Sequence, residues 1–314
     1  LAIREDGSIV ARGWNDNNQS TVPKNLKKAE SVSGGYYHSL ASMEDGSVVA
    51  WGRNNYGQRD VPEGLGSVTS VSAGHGYSAA LKDDGTIVLW GRNNYGQISP
   101  PEALLEVIQI VAGREHCIAL QKDNTVAAWG RNDSRQSNVP EGLENVTQIA
   151  AAYYHSLALK ADGTVVAWGS NKYGETDVPT GLNDVVAISA GGFHSMALKD
   201  DGTVVAWGRN VYGEGSVPTA LRDAVSVSAG GYHTVALREN GSIVSWGSIE
   251  YGQSLVPAGL GKLIAAEAGY QHTLVLKENG TVAAWGNNLQ GQCNVPAGLN
   301  NVIAINAADF YSMA

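Results

Sequence analysis

Residues 146–182, "VTQIAAAYYHSLALKADGTVVAWGSNKYGETDVPTGL", contain three short apolar stretches and no long one. In "VTQIAA" and "HSLALK" branched apolar residues alternate with small or polar ones, and "TVVAW" is a brief apolar run. A period of two with short runs predicts strands rather than helices. Asp162-Gly163 lies between the second and third stretches, a strong two-residue hairpin signal. The segment therefore predicts three short antiparallel strands, followed by a polar loop and a "VPxGL" crossing.

The same pattern is written eight times. Trp51, Trp90, Trp129, Trp168, Trp207, Trp246 and Trp285 each follow the last by 39 residues, and a further copy, "ARGWNDNNQSTVPKNL", precedes them with Arg12 at the tryptophan position. The repeats run over 3–41, 42–80, 81–119, 120–158, 159–197, 198–236, 237–275 and 276–314. The hairpin dipeptide returns at Asp6-Gly7, Asp45-Gly46, Asp84-Gly85, Asp201-Gly202, Asn240-Gly241 and Asn279-Gly280. The fourth repeat has Asp123-Asn124, and asparagine is the usual stand-in for glycine at positive φ. A three-stranded sheet cannot bury both of its faces alone, so such sheets must stack. Antiparallel repeats of about 40 residues are the signature of a β-propeller. The expected fold is all-β, a single propeller domain over residues 1–314 with eight blades. The chain opens on a second and third strand, "LAIREDGSIVARG", and closes on a first strand and the start of a second, "VIAINAADFYSMA". Joined, these would complete one blade and remove two exposed edges, with the irregular Arg12, Asn18, Ala308 and Tyr311 at the seam.

Composition narrows the function classes. The 39 glycines, nine prolines and 43% hydrophobic residues describe a turn-rich globular chain. A net charge of −9 argues against a nucleic-acid partner, which needs a clustered basic surface. No apolar run is long enough for a membrane-spanning helix, so membrane insertion is not expected. Leu1 falls in mid-repeat, so any export signal is expected to have been removed or left out. Cys117 and Cys293 occupy different repeat positions and read as incidental thiols.

Histidine recurs at His38, His116, His155, His194, His233 and His272, with His75 out of place. The ligands of one metal site must converge within a few ångströms. Copies on successive blades lie on a wider circle, so these imidazoles are expected to make structural hydrogen bonds to neighbouring loops. In pairs such as His155-Ser156, adjacent strand residues face opposite ways and cannot act as base and nucleophile. Phosphate-loop, dinucleotide and metalloprotease signatures are missing from the sequence. The expectation is no catalytic residue, no metal and no cofactor.

Walking the strands places the "AGxxH" and "NxYGQ" loops on one face and the acidic hairpins on the other. On that first face the copies diverge. The two residues before the histidine position change freely and are often aromatic, making Tyr37, Tyr154, Phe193, Tyr232 and Phe310 the leading binding candidates. Tyr56, Tyr95, Tyr173, Tyr212 and Tyr251 follow, either as packing against the next blade or as surface contacts. Arg53 lies in the same loops, as do Arg92, Arg131 and Arg209. Tyrosine and arginine on rigidly held loops are the usual material of protein-binding hot spots.

The "WGxNxxGQ" and "VPxGL" segments and the "AAGxxHSLALK-x-DGTVVAWG" run resemble the regulator of chromosome condensation repeat family in its short bacterial form. The resemblance covers all 314 residues, and within the family it is similar to the β-lactamase-inhibitory propellers of the second type. It implies a bacterial, secreted or cell-surface propeller, with a partner held by aromatic residues of these loops. The family's rings usually have seven blades, and eight repeats depart from that. The expected function is non-enzymatic protein binding by a monomeric ring, with inhibition of a secreted enzyme as one form. A structural or assembly module of a larger surface protein is the alternative and carbohydrate binding a third; an exchange factor for a small GTPase comes last.

Overall fold

The computed structural model describes residues 2–308 and 311–313, with side chains over 2–308. Seven successive three-stranded antiparallel sheets are followed by one sheet built from both ends of the chain. The fourth sheet is representative: strands Val146–Ala151, His155–Lys160 and Val165–Gly169. Ala158 sits opposite both Ile149 and Val166 in this sheet. The hairpin forms because Asp162 Oδ1 accepts from the Thr164 amide at 3.0 Å and the Thr164 hydroxyl at 2.5 Å. Gly163 supplies the positive φ of 76° that this turn demands, and Asn124 adopts 64° in the repeat that lacks the glycine.

Blades stack through the central strand. Leu157 and Leu159 pack on Val185, Ile188, Ala197 and Trp207 of the next blade. Ala158, on the opposite side of the same strand, meets Ile118 and Leu120 of the preceding blade beside Trp168. Large side chains thus press forward onto an alanine, or at the seventh blade onto Val275, which lets the sheets approach closely.

A polar belt crosses the same interfaces. His38 Nε2 lies 2.9 Å from Ser78 Oγ of the next blade, His116 3.0 Å from Ser156, and His155 3.0 Å from Ser195. His194 and His233 reach Thr234 and Thr273 at 3.0 and 2.9 Å. Those hydroxyls spend their own proton on a loop carbonyl, as Ser78 does on Gln58 at 2.8 Å and Ser195 on Glu175 at 2.9 Å. The imidazole must therefore donate from Nε2, which fixes the neutral tautomer. The same carbonyls accept the indole N–H of the following tryptophan, Trp90 on Gln58 at 3.0 Å and Trp207 on Glu175 at 2.9 Å. Tyr77 holds the histidine position in the second blade. Its hydroxyl reaches the His116 carbonyl at 2.5 Å. The expected partner of each histidine was a neighbouring loop; for these five the partner found is a strand hydroxyl that relays to a loop.

The eighth blade joins the ends. Ala2–Arg4 pairs with Ile9–Val10 on one side and Val302–Ala307 on the other, while Tyr311–Met313 lies between Val302–Ala307 and Arg12–Gly13. Its central strand is thus made of two pieces laid end to end. Ala2 packs on Leu274 and Leu276 of the seventh blade, and Ile3 on Ala41 and Trp51 of the first. The Gly34 amide donates to Asn306 Oδ1 at 3.2 Å. Eight sheets therefore close into a ring.

Burial pushes the imidazoles of His38, His155, His233 and His272 down to about 3, and those of His116 and His194 to about 4. The unfolded chain, with imidazoles near the ordinary 6.5, takes up protons first as the pH falls. Stability is therefore fully present above about pH 6.5 and is lost progressively toward pH 4. Melting followed by circular dichroism is expected to show a plateau above neutrality and a steep fall of the melting temperature between pH 6.5 and 4.5. Removing residues 1–10 is expected to replace one sharp transition by a broad one, because an opened array loses the coupling that closure imposes.

Candidate functional site: the loop face

The two variable loops are tied together by backbone. The Arg53 amide donates to the Tyr37 carbonyl at 2.9 Å, and the same bond recurs from Arg92 to Gly76, Arg131 to Glu115 and Arg209 to Phe193. Gly52, at φ 103°, leaves no room for a side chain: a Cβ there would lie 2.7 Å from the Tyr37 oxygen. Each "NxYGQ" loop is also locked internally. Asn54 Oδ1 accepts from the Arg59 amide and Gln58 Oε1 from the Tyr56 amide, both at 2.9 Å. The recurrent asparagine and glutamine hold the loop, and the residues between them face outward.

Arginine fills the space between the loops. Arg209 lies 4.8 Å from the Tyr232 ring centre, 4.9 Å from Tyr212, 5.4 Å from Phe193 and 5.8 Å from Tyr173. Phe193 and Tyr232 are 6.3 Å apart, and Tyr232 reaches Tyr270 with a 2.6 Å hydroxyl contact. On the far side Trp14, Tyr36, Tyr37 and His75 form a second cluster, with Arg53 4.9 Å from the Tyr37 ring. Between the clusters Glu115 is buried. Its carboxylate accepts from Arg92 and Arg131, each at 2.7 Å. That pairing neutralises a buried charge that would otherwise be costly.

The candidates divide by exposure. Tyr37, Tyr154, Phe193 and Tyr232 are half-buried, whereas Tyr56, Tyr95, Tyr173, Tyr212 and Tyr251 are exposed. Packing on the adjacent blade and surface contact were both open for the second group; Tyr56, Tyr95 and Tyr173 lie 5.2, 5.1 and 5.8 Å from Arg92, Arg131 and Arg209 of the next blade and are exposed as well. The bond between the loops draws the residue before the histidine inward, Tyr37 and Phe193 against the arginine of their own blade and Tyr154 and Tyr232 against that of the preceding one. Tyr251 stands beside Ser248 rather than an arginine, and among the described residues it makes no ring contact with the cluster. Phe310 lies outside the described residues.

Several residues escaped the sequence reading. Tyr36, Arg114, Tyr153 and Tyr270 occupy the position nearest the ring axis, where a 39-residue period brings equivalent residues together. A second set is apolar. Val211, Ile249 and Leu289, exposed by 68%, 65% and 79%, crown the loops of three successive blades, with Leu255 and Tyr212 between them. Leu289 shares the Val211 position, where the six other copies carry Asp16, Asn55, Asn94, Asp133, Lys172 and Glu250, and Ile249 stands one residue earlier, where the seven other copies carry asparagine. That contrast was legible and went unused. The face also holds Arg53, Arg59, Arg92, Arg114, Arg131, Arg135 and Arg209 against a single lysine, Lys172.

The thiols offer no nucleophile here. Cys117 is buried, and burial pushes it up to about 12. Among the described residues no group of three His, Cys, Asp or Glu is placed to hold a metal ion. Among the described residues no helix is long and apolar enough to cross a membrane.

A closed ring of β-sheets with an invariant frame and one divergent loop face defines a propeller of the chromosome-condensation-regulator type. The chain belongs to the regulator of chromosome condensation (RCC1) repeat family, whose model matches residues 29–58, 68–97, 107–136, 146–175, 185–214, 224–253 and 264–292. Each match opens at a first strand and closes at the locked loop. No curated protein sequence matches the chain. Among solved structures, yeast RCC1 (Prp20), seen bound to Kap60, gives a TM-score of 0.68 at 18% identity over 100% of this chain and 89% of that one. Prp20p of Saccharomyces cerevisiae, described with its binding to Gsp1p and histones, gives 0.67 at 17% over 99% and 92%. The CRINKLY ectodomain of the Arabidopsis thaliana receptor kinase ACR4 gives 0.60 at 22% over 83% and 98%. At these identities the likeness is one of fold.

Proposed function

We propose that this chain is a non-enzymatic binding propeller that holds a protein partner on its "AGxxH" and "NxYGQ" loop face. The observation that carries the reading is the sector formed by Tyr173, Val211, Tyr212, Ile249, Leu255 and Leu289, which sets exposed apolar tips beside the arginine-aromatic cluster. Contiguous exposed apolar surface on a rigid scaffold marks an interaction site. Enrichment in tyrosine and arginine with depletion of lysine is the composition of protein interfaces. The loops are hydrogen-bonded in place, so little ordering entropy would be lost on binding. The protein partners in the descriptions of yeast RCC1 support the same partner class. A secreted or cell-surface setting, and inhibition by capping an enzyme's cleft with a broad rigid face, are the finer form of this proposal.

One observation favours the assembly alternative. Val186, Val225, Ile264 and Ile303, all more than half exposed, occupy one repeat position on four successive blades at the hairpin end of the first strands. As an assembly unit the ring would associate through them. The solution mass is then expected to be that of an oligomer, reverting to a monomer in Val225→Asp/Ile264→Asp; for a solitary binding ring both masses are monomeric.

Affinity capture from the source organism's secreted and surface proteins tests the main reading. Tyr212→Ala, Ile249→Ala and Leu289→Ala together are expected to lower capture at least tenfold while leaving the melting temperature nearly unchanged. Phe193→Ala and Tyr232→Ala are expected to lower stability as well, because these rings pack beneath Arg209. Undiminished capture by the triple variant would move the site elsewhere.

A further inference from the structure

The ring axis opens on the loop face as a funnel of about 210 Å³. Tyr36, His75, Arg114, Tyr153 and Tyr270 line it. Gly192 and Gly231 complete the lining, and a side chain at Gly231 would collide with the Tyr270 ring, so that glycine makes room for the tyrosine. The Tyr153 and Tyr270 rings stack across the axis at 6.1 Å with a 27° interplanar angle. The volume is below the roughly 300–1,000 Å³ of pockets for drug-sized ligands, so the funnel suits a small group.

Arg114 is the charged side chain of the described lining, and its environment differs from that of its neighbours. Arg92 and Arg131 share Glu115, and Arg209 lies 3.6 Å from Glu214. Among the described residues Arg114 has no carboxylate partner. Its Nη1 donates to the Tyr154 hydroxyl at 2.8 Å, and its Nε is buried without an acceptor. The Tyr153 and Tyr36 ring centres lie 5.5 and 6.0 Å from the guanidinium. Among the described residues the cation is thus partly removed from water and not paired with a carboxylate, a state in which a charge-assisted bond is strongest. His75 adds a donor and no second cation. Its Nδ1 accepts from Arg92 at 3.3 Å, which places its proton on Nε2, and burial pushes the imidazole down to about 4, so it is neutral at pH 7.

We propose that this axial funnel is a carboxylate-binding site, in which Arg114 takes one carboxylate of a small organic acid or of a peptide chain terminus between the Tyr36 and Tyr153 rings. The planar fork of arginine matches a carboxylate in two parallel bonds, and tyrosine walls suit a short apolar or aromatic group behind it. The site does not rest on the protein-partner reading, because its ligand is small enough to be tested alone.

The test is calorimetric titration of the intact chain with 4-hydroxybenzoate, its amide, and N-acetyl-alanyl-tyrosine with a free or amidated C-terminus. At least one acid is expected to bind, and its amide at least tenfold more weakly. Binding of the benzoate alone assigns the site to small acids, and binding of the free-acid peptide assigns it to chain termini. Arg114→Gln is expected to abolish binding of the acid with the melting transition retained, and Arg114→Lys to restore part of it. The acid-against-amide comparison on the unaltered chain needs no variant to fold. Equal binding of acid and amide, binding of neither acid, or undiminished binding by Arg114→Gln would overturn the proposal. Asp309 holds the equivalent sequence position in the eighth repeat and lies outside the described residues.

Discussion

The bond from an imidazole to the hydroxyl 40 residues later, one blade further round, is the constraint on which the ring depends. With a repeat of 39, that bond always joins one strand position to the next position on the following blade. A single insertion within a repeat would put the donor and acceptor on opposite faces of their strands. Buried and neutral, each histidine has one proton to give, and the hydroxyl can accept it only because its own proton goes to a loop carbonyl. The same carbonyl then holds the next tryptophan. Three recurrent residue types, histidine, serine or threonine, and tryptophan, are in this way committed to one shared acceptor and cannot vary freely. Tyr77 illustrates how narrow the exception is, since the next blade there carries Cys117 instead of a hydroxyl and the longer tyrosine bonds that blade's backbone directly.

Because the frame consumes those residues, variation is confined to the places it leaves open. These are the pair before the histidine and the outward positions of the locked loop. Arginine and aromatic side chains there form contacts each worth about 0.5–2 kcal/mol, and together they make the face stiff as well as diverse. Stiffness matters for recognition, since a face already ordered loses little entropy when it is covered. The two halves of the face differ in kind. One carries the neutralised Arg92, Glu115 and Arg131 set, and the other carries apolar tips over the Arg209 stack. Such asymmetry within a symmetric ring is what a particular partner, rather than the fold, would require.

Much of the fold was legible in the sequence because it is local and repeated. Period-two strands, Asp-Gly turns and the 39-residue spacing specify a blade, and Asn124 at positive φ was readable from its place in the hairpin. The split eighth blade was legible too, from which strands each end of the chain could supply. Less was legible at the face. Exposure of Tyr212 against half-burial of Tyr232 depends on where Arg209 lies between two loops, a tertiary fact that no local pattern encodes. The convergence of Tyr153 and Tyr270 at the axis spans three blades and follows only from ring curvature. Val211 and Leu289 are different, since comparing copies at one position would have revealed them, as would comparing the next position for Ile249, where the seven other copies carry asparagine.

The imidazole belt can be observed directly. Nitrogen-15 chemical shifts of the histidine side chains, followed by nuclear magnetic resonance from pH 7.5 to 5.5, report both tautomer and charge. The account predicts that His38, His116, His155, His194 and His233 all carry a proton on Nε2 alone, and that these five and His272 do not titrate over this range. Protonation midpoints near the ordinary 6.5, or a proton on Nδ1, would contradict it.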